Sequence, residues 1–174
     1  MKKESKVKWI ITVLLLSFGL SILMSLGSNM VIPKINIYVG IAIIILFIVI
    51  SIVFDMIGVA ITAAEERPFH SMASKKVQGA SHSVRFLKNS DKLASICNDV
   101  IGDVCGVVSG SAGVLVSTTL ADMLDLDASL VVLIVTALIA SLTITGKALG
   151  KSIAIKNSEK ITFQVGKVVS VFKK

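Results

Sequence analysis

Ile37-Tyr-Val-Gly-Ile-Ala-Ile-Ile-Ile-Leu-Phe-Ile-Val-Ile-Ser-Ile-Val-Phe-Asp-Met-Ile-Gly-Val-Ala-Ile-Thr-Ala-Ala64 decides the fold class. About 20 apolar residues in a helix cross a hydrocarbon core, and this run is longer than that while carrying a single charge, Asp55. A helix that long and that apolar is soluble only inside a bilayer. Outward from it, three more runs meet the same requirement: Trp9 to Met30, Leu93 to Ala121, and Ala128 to about Gly146. The whole chain agrees, with 54% hydrophobic and 17% charged residues over 174 positions and a mean hydropathy of +0.88. The reading is an all-α polytopic membrane bundle of four transmembrane helices plus a cytoplasmic amphipathic helix. The length leaves no room for a separate soluble catalytic or nucleotide-binding module.

Between the first two runs, Pro33 pushes its neighbour out of helical geometry and predicts a short turn, so spans one and two are expected to form a hairpin. Residues 65–92 form the one long polar connection, with Arg67, Lys75, Lys76, Arg85, Lys88 and Lys92 against Glu65, Glu66 and Asp91. The last connection holds Asp122, Asp125 and Asp127 and no base. Lysines 2, 3, 6 and 8, the 65–92 segment and the residues from Lys147 onward then fall on one side, which by the positive-inside rule puts both termini in the cytoplasm and the protein in a cell membrane as a multi-pass chain. The net charge of +7 thereby finds its explanation in orientation, and nucleic acid is not an expected partner. From Ser152 to Phe172, Ile153, Ile155, Ile161, Phe163, Val165, Val168, Val169 and Phe172 alternate with Lys156, Lys160, Lys167 and Lys173, the pattern of an interfacial helix whose bases meet anionic headgroups. Residues 1–36 add a first span and its turn. An alternative reading of their start is a cleavable signal peptide ending near Ser25-Leu-Gly27.

Four charges lie inside the apolar runs: Asp55, Asp99, Asp103 and Lys147. Each costs roughly 2.5–3.5 kcal/mol at the centre of a membrane helix, so each is expected to face a partner, a cavity or an ion. Asp99 and Asp103 are one helical turn apart and present a carboxylate ladder, with the Asn98 amide adjacent. At 1.5 Å per residue, Asp99 counts roughly 10 Å and Asp103 roughly 16 Å inward from Lys92, and Asp55 roughly 15 Å inward from Glu65, which allows all three to meet. Gly102, Gly106 and Gly110 repeat every fourth residue on the third span and form a close-packing face, for another helix of this chain or for a second copy. His70 and His82 stand without Cys or acid at metal spacing, and Cys97 and Cys105 share one helix too far apart to bridge. No nucleophile, metal-protease or phosphate-loop pattern is present, so the chain is not read as an enzyme.

Three stretches resemble the transmembrane domain of the CNNM/CorC family of magnesium transporters. Phe54-Asp-Met-Ile-Gly-Val-Ala60 is similar to the family's Phe-Ser-Gly-Ser-Glu-Thr-Ala. Phe86-Leu-Lys-Asn-Ser-Asp-Lys-Leu93, continuing to Gly106-Val-Val-Ser-Gly110, resembles its approach to the second span. Gly146-Lys-Ala-Leu-Gly-Lys-Ser-Ile-Ala-Ile-Lys-Asn-Ser-Glu-Lys-Ile161 carries the most specific likeness, to Gly-Glu-Leu-Val-Pro-Lys-Ser-Leu-Ala-Leu-Arg-Asn-Pro-Glu-Arg-Ile. The resemblance implies three spans and an amphipathic helix over residues 37–174, a homodimer, and a cation held by first-span serines, a second-span Asn and a third-span Glu. It also implies what is altered here. The Glu position is Lys147, the helix-unwinding Pro is Gly150, serine positions are Asp55 and Ile57, and the first-span Glu is Gly58. The likeness stops at the amphipathic helix, without the cystathionine-β-synthase pair of full-length members.

Two expectations follow. In one, Lys147 replaces the cation and pairs with Asp55, Asp99 or Asp103, leaving a membrane protein that is not a conventional Mg2+ transporter and acts as a structural or regulatory partner of another membrane protein. In the other, the acids still attract a divalent cation or protons, and the chain is a divergent ion carrier. No cofactor is required by the sequence, and a divalent cation such as Mg2+ is the one candidate ligand.

Overall fold

The computed structural model describes residues 3–31 and 36–172. The Pro33 turn lies outside them. Among the described residues the chain is helical without a strand: α1 (Lys3–Val31), α2 (Ile37–Ala63), α3 (Glu66–Ser74), α4 (Ala80–Lys88), α5 (Ser90–Ser95), a π-helical segment (Ile96–Gly102), α6 (Asp103–Leu124), α7 (Ala128–Lys156) and α8 (Ser158–Phe172). Four helices in that set are long and apolar enough to cross a membrane, the third running unbroken from Ser90 to Leu124 through the π-helical segment.

Local chemistry sets the boundaries. The Asn36 side chain accepts the Tyr38 backbone N–H at 3.1 Å and starts α2. Two of the three acids in the last connection are caps. Asp125 ends α6 in the left-handed conformation, φ 53°, and the Asp127 carboxylate accepts the Leu130 N–H at 3.0 Å to start α7.

The core is a three-helix bundle of α2, α6 and α7, each packed on the other two. Ile44 and Ile48 of α2, Ala112 and Val116 of α6 and Ile139 of α7 form its apolar centre. Small residues bring the backbones together: a β-carbon at Gly113 would run into Ile139, one at Gly146 into Ile52, and one at Gly150 would lie 2.8 Å from the Met56 side chain. The outer faces expose Ile45, Leu46, Leu133, Leu138 and Leu142, as lipid-facing helices require.

Three sequence expectations change. Among the described residues spans one and two are not closely packed on one another. Helix α1 leans instead on α6 and the π-helical segment, and an apolar cleft of about 330 Å³ opens between Leu23, Met24 and Gly27 on one side and Ile43, Leu46 and Phe47 on the other. The fourth span does not end near Gly146 but continues to Lys156, because glycine without proline does not break a helix whose small side packs on α2. At about 43 Å it outreaches a core of about 30 Å, so its last turns lie at headgroup level. Finally, the amphipathic helix begins at Ser158, with residues 152–156 belonging to α7.

One end of the bundle carries α3, α4 and α8. Helix α8 rests on α4 and on the end of α2, and Gly79 and Gly166 make the crossing possible. Gly79 has φ 90°, and a β-carbon there would lie 2.7 Å from the Lys167 backbone; one at Gly166 would run into Ser83. The Ser83 hydroxyl donates to the Thr162 carbonyl at 3.2 Å across this contact. Lys92 places its ammonium 5.4 Å from the centre of the Trp9 ring, which brings the start of α1 to the same end. Among the described residues, the start of α1 and helices α4 and α8 lie at this end.

Candidate functional site

The inner face of α2 presents Ser51, Asp55 and Gly58, spaced four and three residues apart and all buried. Opposite runs the π-helical segment, antiparallel to α2. Ser51 donates its hydroxyl to the Gly102 carbonyl at 2.6 Å. One turn and more along, Gly58 makes room for Asn98, whose side chain would collide with any β-carbon at that position. Asp55 lies between these two contacts. A π-helical turn widens the helix and re-aims its side chains, and such turns recur at functional sites. Here it sets Gly102 close against α2, where a β-carbon would come 3.2 Å from the Cys97 carbonyl and 3.5 Å from that of Ser51.

Helix α7 supplies the positive charge. Lys147 Nζ donates to Asp103 Oδ1 at 2.8 Å, with the lysine side chain 18% exposed and the aspartate 65% exposed. The same ammonium would be 3.8 Å from a β-carbon on Gly102, so it sits where α7 meets the junction of the π-helical segment and α6. One turn on, Lys151 Nζ stands 3.7 Å from Asp55 Oδ2, with side-chain exposures of 51% and 6%. That second contact is an ion pair but too long for a hydrogen bond. Asp55 Oδ2 and Asn98 Oδ1 are both buried acceptors without a donor among the described residues.

Of the expected site residues, Lys147 and Asp103 therefore meet directly, Asp55 and Asn98 lie along the α2 seam, and Asp99 is exposed with no ion-pair partner among the described residues. The three aspartates do not converge: among the described residues no group of three His, Cys, Asp or Glu side chains is placed to hold a metal ion. The expected glycine face divides. Gly102 packs on α2, whereas β-carbons at Gly106 and Gly110 would meet nothing within 4 Å, and these two line an open groove of about 470 Å³ between α6 and α7 with Asp103 and Lys147 at its polar end. Among the described residues His70 meets only Glu66, an exposed i,i+4 contact at 3.5 Å.

Sequence reasoning missed Lys151. Ending the fourth span near Gly146 assigned it to the solvated tail, although its place four residues after Lys147 already put both on one helix face. With Lys151 included, the intramembrane set is three carboxylates and two ammoniums, formally one negative charge.

No curated protein and no solved structure shows significant similarity to the chain. The family model of the cyclin M transmembrane N-terminal domain does match, over residues 41–174, from the first turns of α2 through α8 and leaving α1 outside. With most of its length and its three-helix core under that match, this integral membrane protein belongs to the CNNM transmembrane-domain family.

Proposed function

We propose that this chain is a CNNM-type membrane domain with internally paired charges at its helix seams that does not act as a conventional Mg2+ transporter, is not an enzyme, and works as a structural or regulatory component of the cell membrane. The single observation behind this reading is the 2.8 Å contact of Lys147 with Asp103. Lys147 stands where the family resemblance calls for a carboxylate ligand, and its charge is already matched by an acid of the neighbouring helix. Mg2+ asks for a near-octahedral oxygen shell and keeps several waters, and an ammonium fixed at that seam opposes it. The basic end of the bundle faces the cytoplasm by the positive-inside rule, and the open Gly106 and Gly110 groove favours a homodimer or another membrane protein across it.

A second reading has its own observation. Asp55 Oδ2 and Asn98 Oδ1 are unmatched buried oxygen acceptors on adjacent segments, which favours a divergent carrier of a divalent cation or of protons. Titration of the purified, detergent-solubilised chain with Mg2+, Mn2+ and Ca2+ tests both. No saturable heat at millimolar ion is the expected result. Saturable binding, lost on Asp55→Asn, overturns the non-transporting reading in favour of the carrier.

A further inference from the structure

Helix α1, the span that the family match leaves outside, stands beside the CNNM core without closing on α2. It leans on α6 and the π-helical segment, and on its α2 side the cleft of about 330 Å³ stays open. Leu23 and Met24 form one wall, Ile43, Leu46 and Phe47 the other, and Val108 of α6 the floor. Val108 is 1% exposed whereas Leu23 and Leu46 are well exposed, so the cleft opens sideways from the bundle.

Helix lengths fix its depth. Trp9 and Lys92 mark the basic end, and an indole beside a lysine belongs at a membrane interface. From that level Leu23 lies roughly 21 Å and Ser28 roughly 28 Å along α1, and Val108 roughly 24 Å along the third span, in a hydrocarbon core of about 30 Å. On α2, Ile43 and Phe47 lie roughly 9 and 15 Å in from the opposite end. Three helices thus place the cleft in the leaflet away from the basic end. Ser28 is the one polar side chain of the lining, and its Oγ is buried without a hydrogen-bond partner among the described residues. It stands where hydrocarbon gives way to the polar region of the bilayer.

Size selects the occupant. Over the roughly 7.5 Å of axis from Leu23 to Ser28, the volume corresponds to a mean section of about 44 Å², whereas a helix with side chains is about 10 Å across and needs about 79 Å². A helix of another chain or of a second copy does not fit. A hydrocarbon chain, whose carbons pack about 4 Å from their neighbours, does. An empty cleft forfeits the dispersion contacts of the residues that line it, and lipid provides no hydrophobic drive to close α1 onto α2.

We infer that this cleft holds an acyl chain of a glycerolipid from the leaflet away from the basic end, with the ester region at the level of Ser28, and that this chain joins α1 to α2 in place of direct side-chain packing. Such a lipid meets three helices at once, whereas a chain on the outer face of α7, at Leu133 or Leu138, meets one.

Two glycines provide the test. A β-carbon at Gly27 meets nothing within 4 Å, and neither does one at Gly19, which stands about two turns away on α1 and does not line the cleft. Leucine at either position raises helix propensity alike, so the variants differ in whether the cleft is filled. The full chain is reconstituted in phosphatidylglycerol vesicles containing phosphatidylglycerol with a diazirine in its acyl chain. It is then passed into dodecyl maltoside by gel filtration to strip loosely held lipid, illuminated, and mapped by peptide mass analysis. Wild type and Gly19→Leu are expected to carry about tenfold more label on residues 23–28 and 43–47 than on residues 133–142, and Gly27→Leu to lose that excess, as displacing roughly ten carbon–carbon contacts requires. An even spread of label, an excess that survives Gly27→Leu, or an equal loss in Gly19→Leu overturns the inference. A fall from dimer to monomer mass in Gly27→Leu also overturns it, because the cleft then belongs to a second copy. If Gly27→Leu gives no folded peak on size exclusion, Leu46→Trp fills the cleft from the α2 side and is held to the same loss.

Discussion

Replacing Lys147 with Met removes the ammonium and keeps the length of the apolar stem. The structure assigns two losses to that change: one charge-assisted hydrogen bond at 2.8 Å, and the counter-charge of Asp103. Hydrogen bonds to charged groups contribute about 1.5–3 kcal/mol, and breaking a fully buried ion pair costs about 3–5 kcal/mol. Asp103 is 65% exposed in the protomer, which screens the unpaired carboxylate and moves the expectation to the low end, about 1–2 kcal/mol. Neutral interhelical hydrogen bonds in membranes average about 0.6 kcal/mol in double-mutant cycles, so a charged staple should stand above that figure. The assay is a cycle of Lys147→Met, Asp103→Asn and the double variant, read by reversible unfolding in mixed micelles. Lys147→Met alone should lower the thermal midpoint by about 2–8 °C, and Asp103→Asn should restore part of the loss when added to it. A coupling energy within error of zero refutes the argument, because it would mean that the two groups touch without holding α6 to α7.

Ser51→Ala deletes the donor to the buried Gly102 carbonyl and should cost about 1–3 kcal/mol, with the largest loss of hydrogen-exchange protection in residues 96–102; loss spread evenly over α6 would count against the π-helical segment being anchored there. Gly166→Val places branched carbons against Ser83 and the Gly79 carbonyl, so α8 should lift off α4 and residues 158–172 become protease-sensitive while the membrane bundle stays folded. Gly106→Ile/Gly110→Ile points its β-carbons into the open groove, where nothing lies within 4 Å of them, and should leave the protomer's unfolding unchanged; a shift from dimer to monomer mass by light scattering would place the α6 and α7 groove at the subunit interface, and an unchanged mass would remove it.

The membrane class and the spans were legible because a bilayer imposes a length and polarity rule that a single sequence states openly, as Ile37 to Ala64 does. What escaped was governed by packing. The fourth span was expected to end near Gly146, yet the missing side chain of Gly150 admits Met56 and Ile52 and the helix carries on to Lys156. That single boundary concealed Lys151. Counting turns on a regular helix also suggested that Asp55, Asp99 and Asp103 meet at one depth, but a π-helical segment and two lysines on α7 separate them. Neither a widened turn nor the choice between two lysines one turn apart leaves a mark in composition or periodicity.

The distribution of charge over three helices carries a consequence for the fold as well as for function. An ion-binding site concentrates like charges and depends on the ion to hold them together. Here α7 reaches to α6 with Lys147 and to α2 with Lys151, and each contact bridges one pair of the helices whose apolar faces already pack. The apolar packing of Ile44, Ile48, Ala112, Val116 and Ile139 works in one half of the bundle, and the paired charges work in the other, near the end that carries α4 and α8. Lipid hydrocarbon provides no hydrophobic drive between helices, so polar pairs at the seam fix register more strongly than further leucines would. A chain arranged in this way keeps the CNNM scaffold and bridges its three core helices with two of its own lysines.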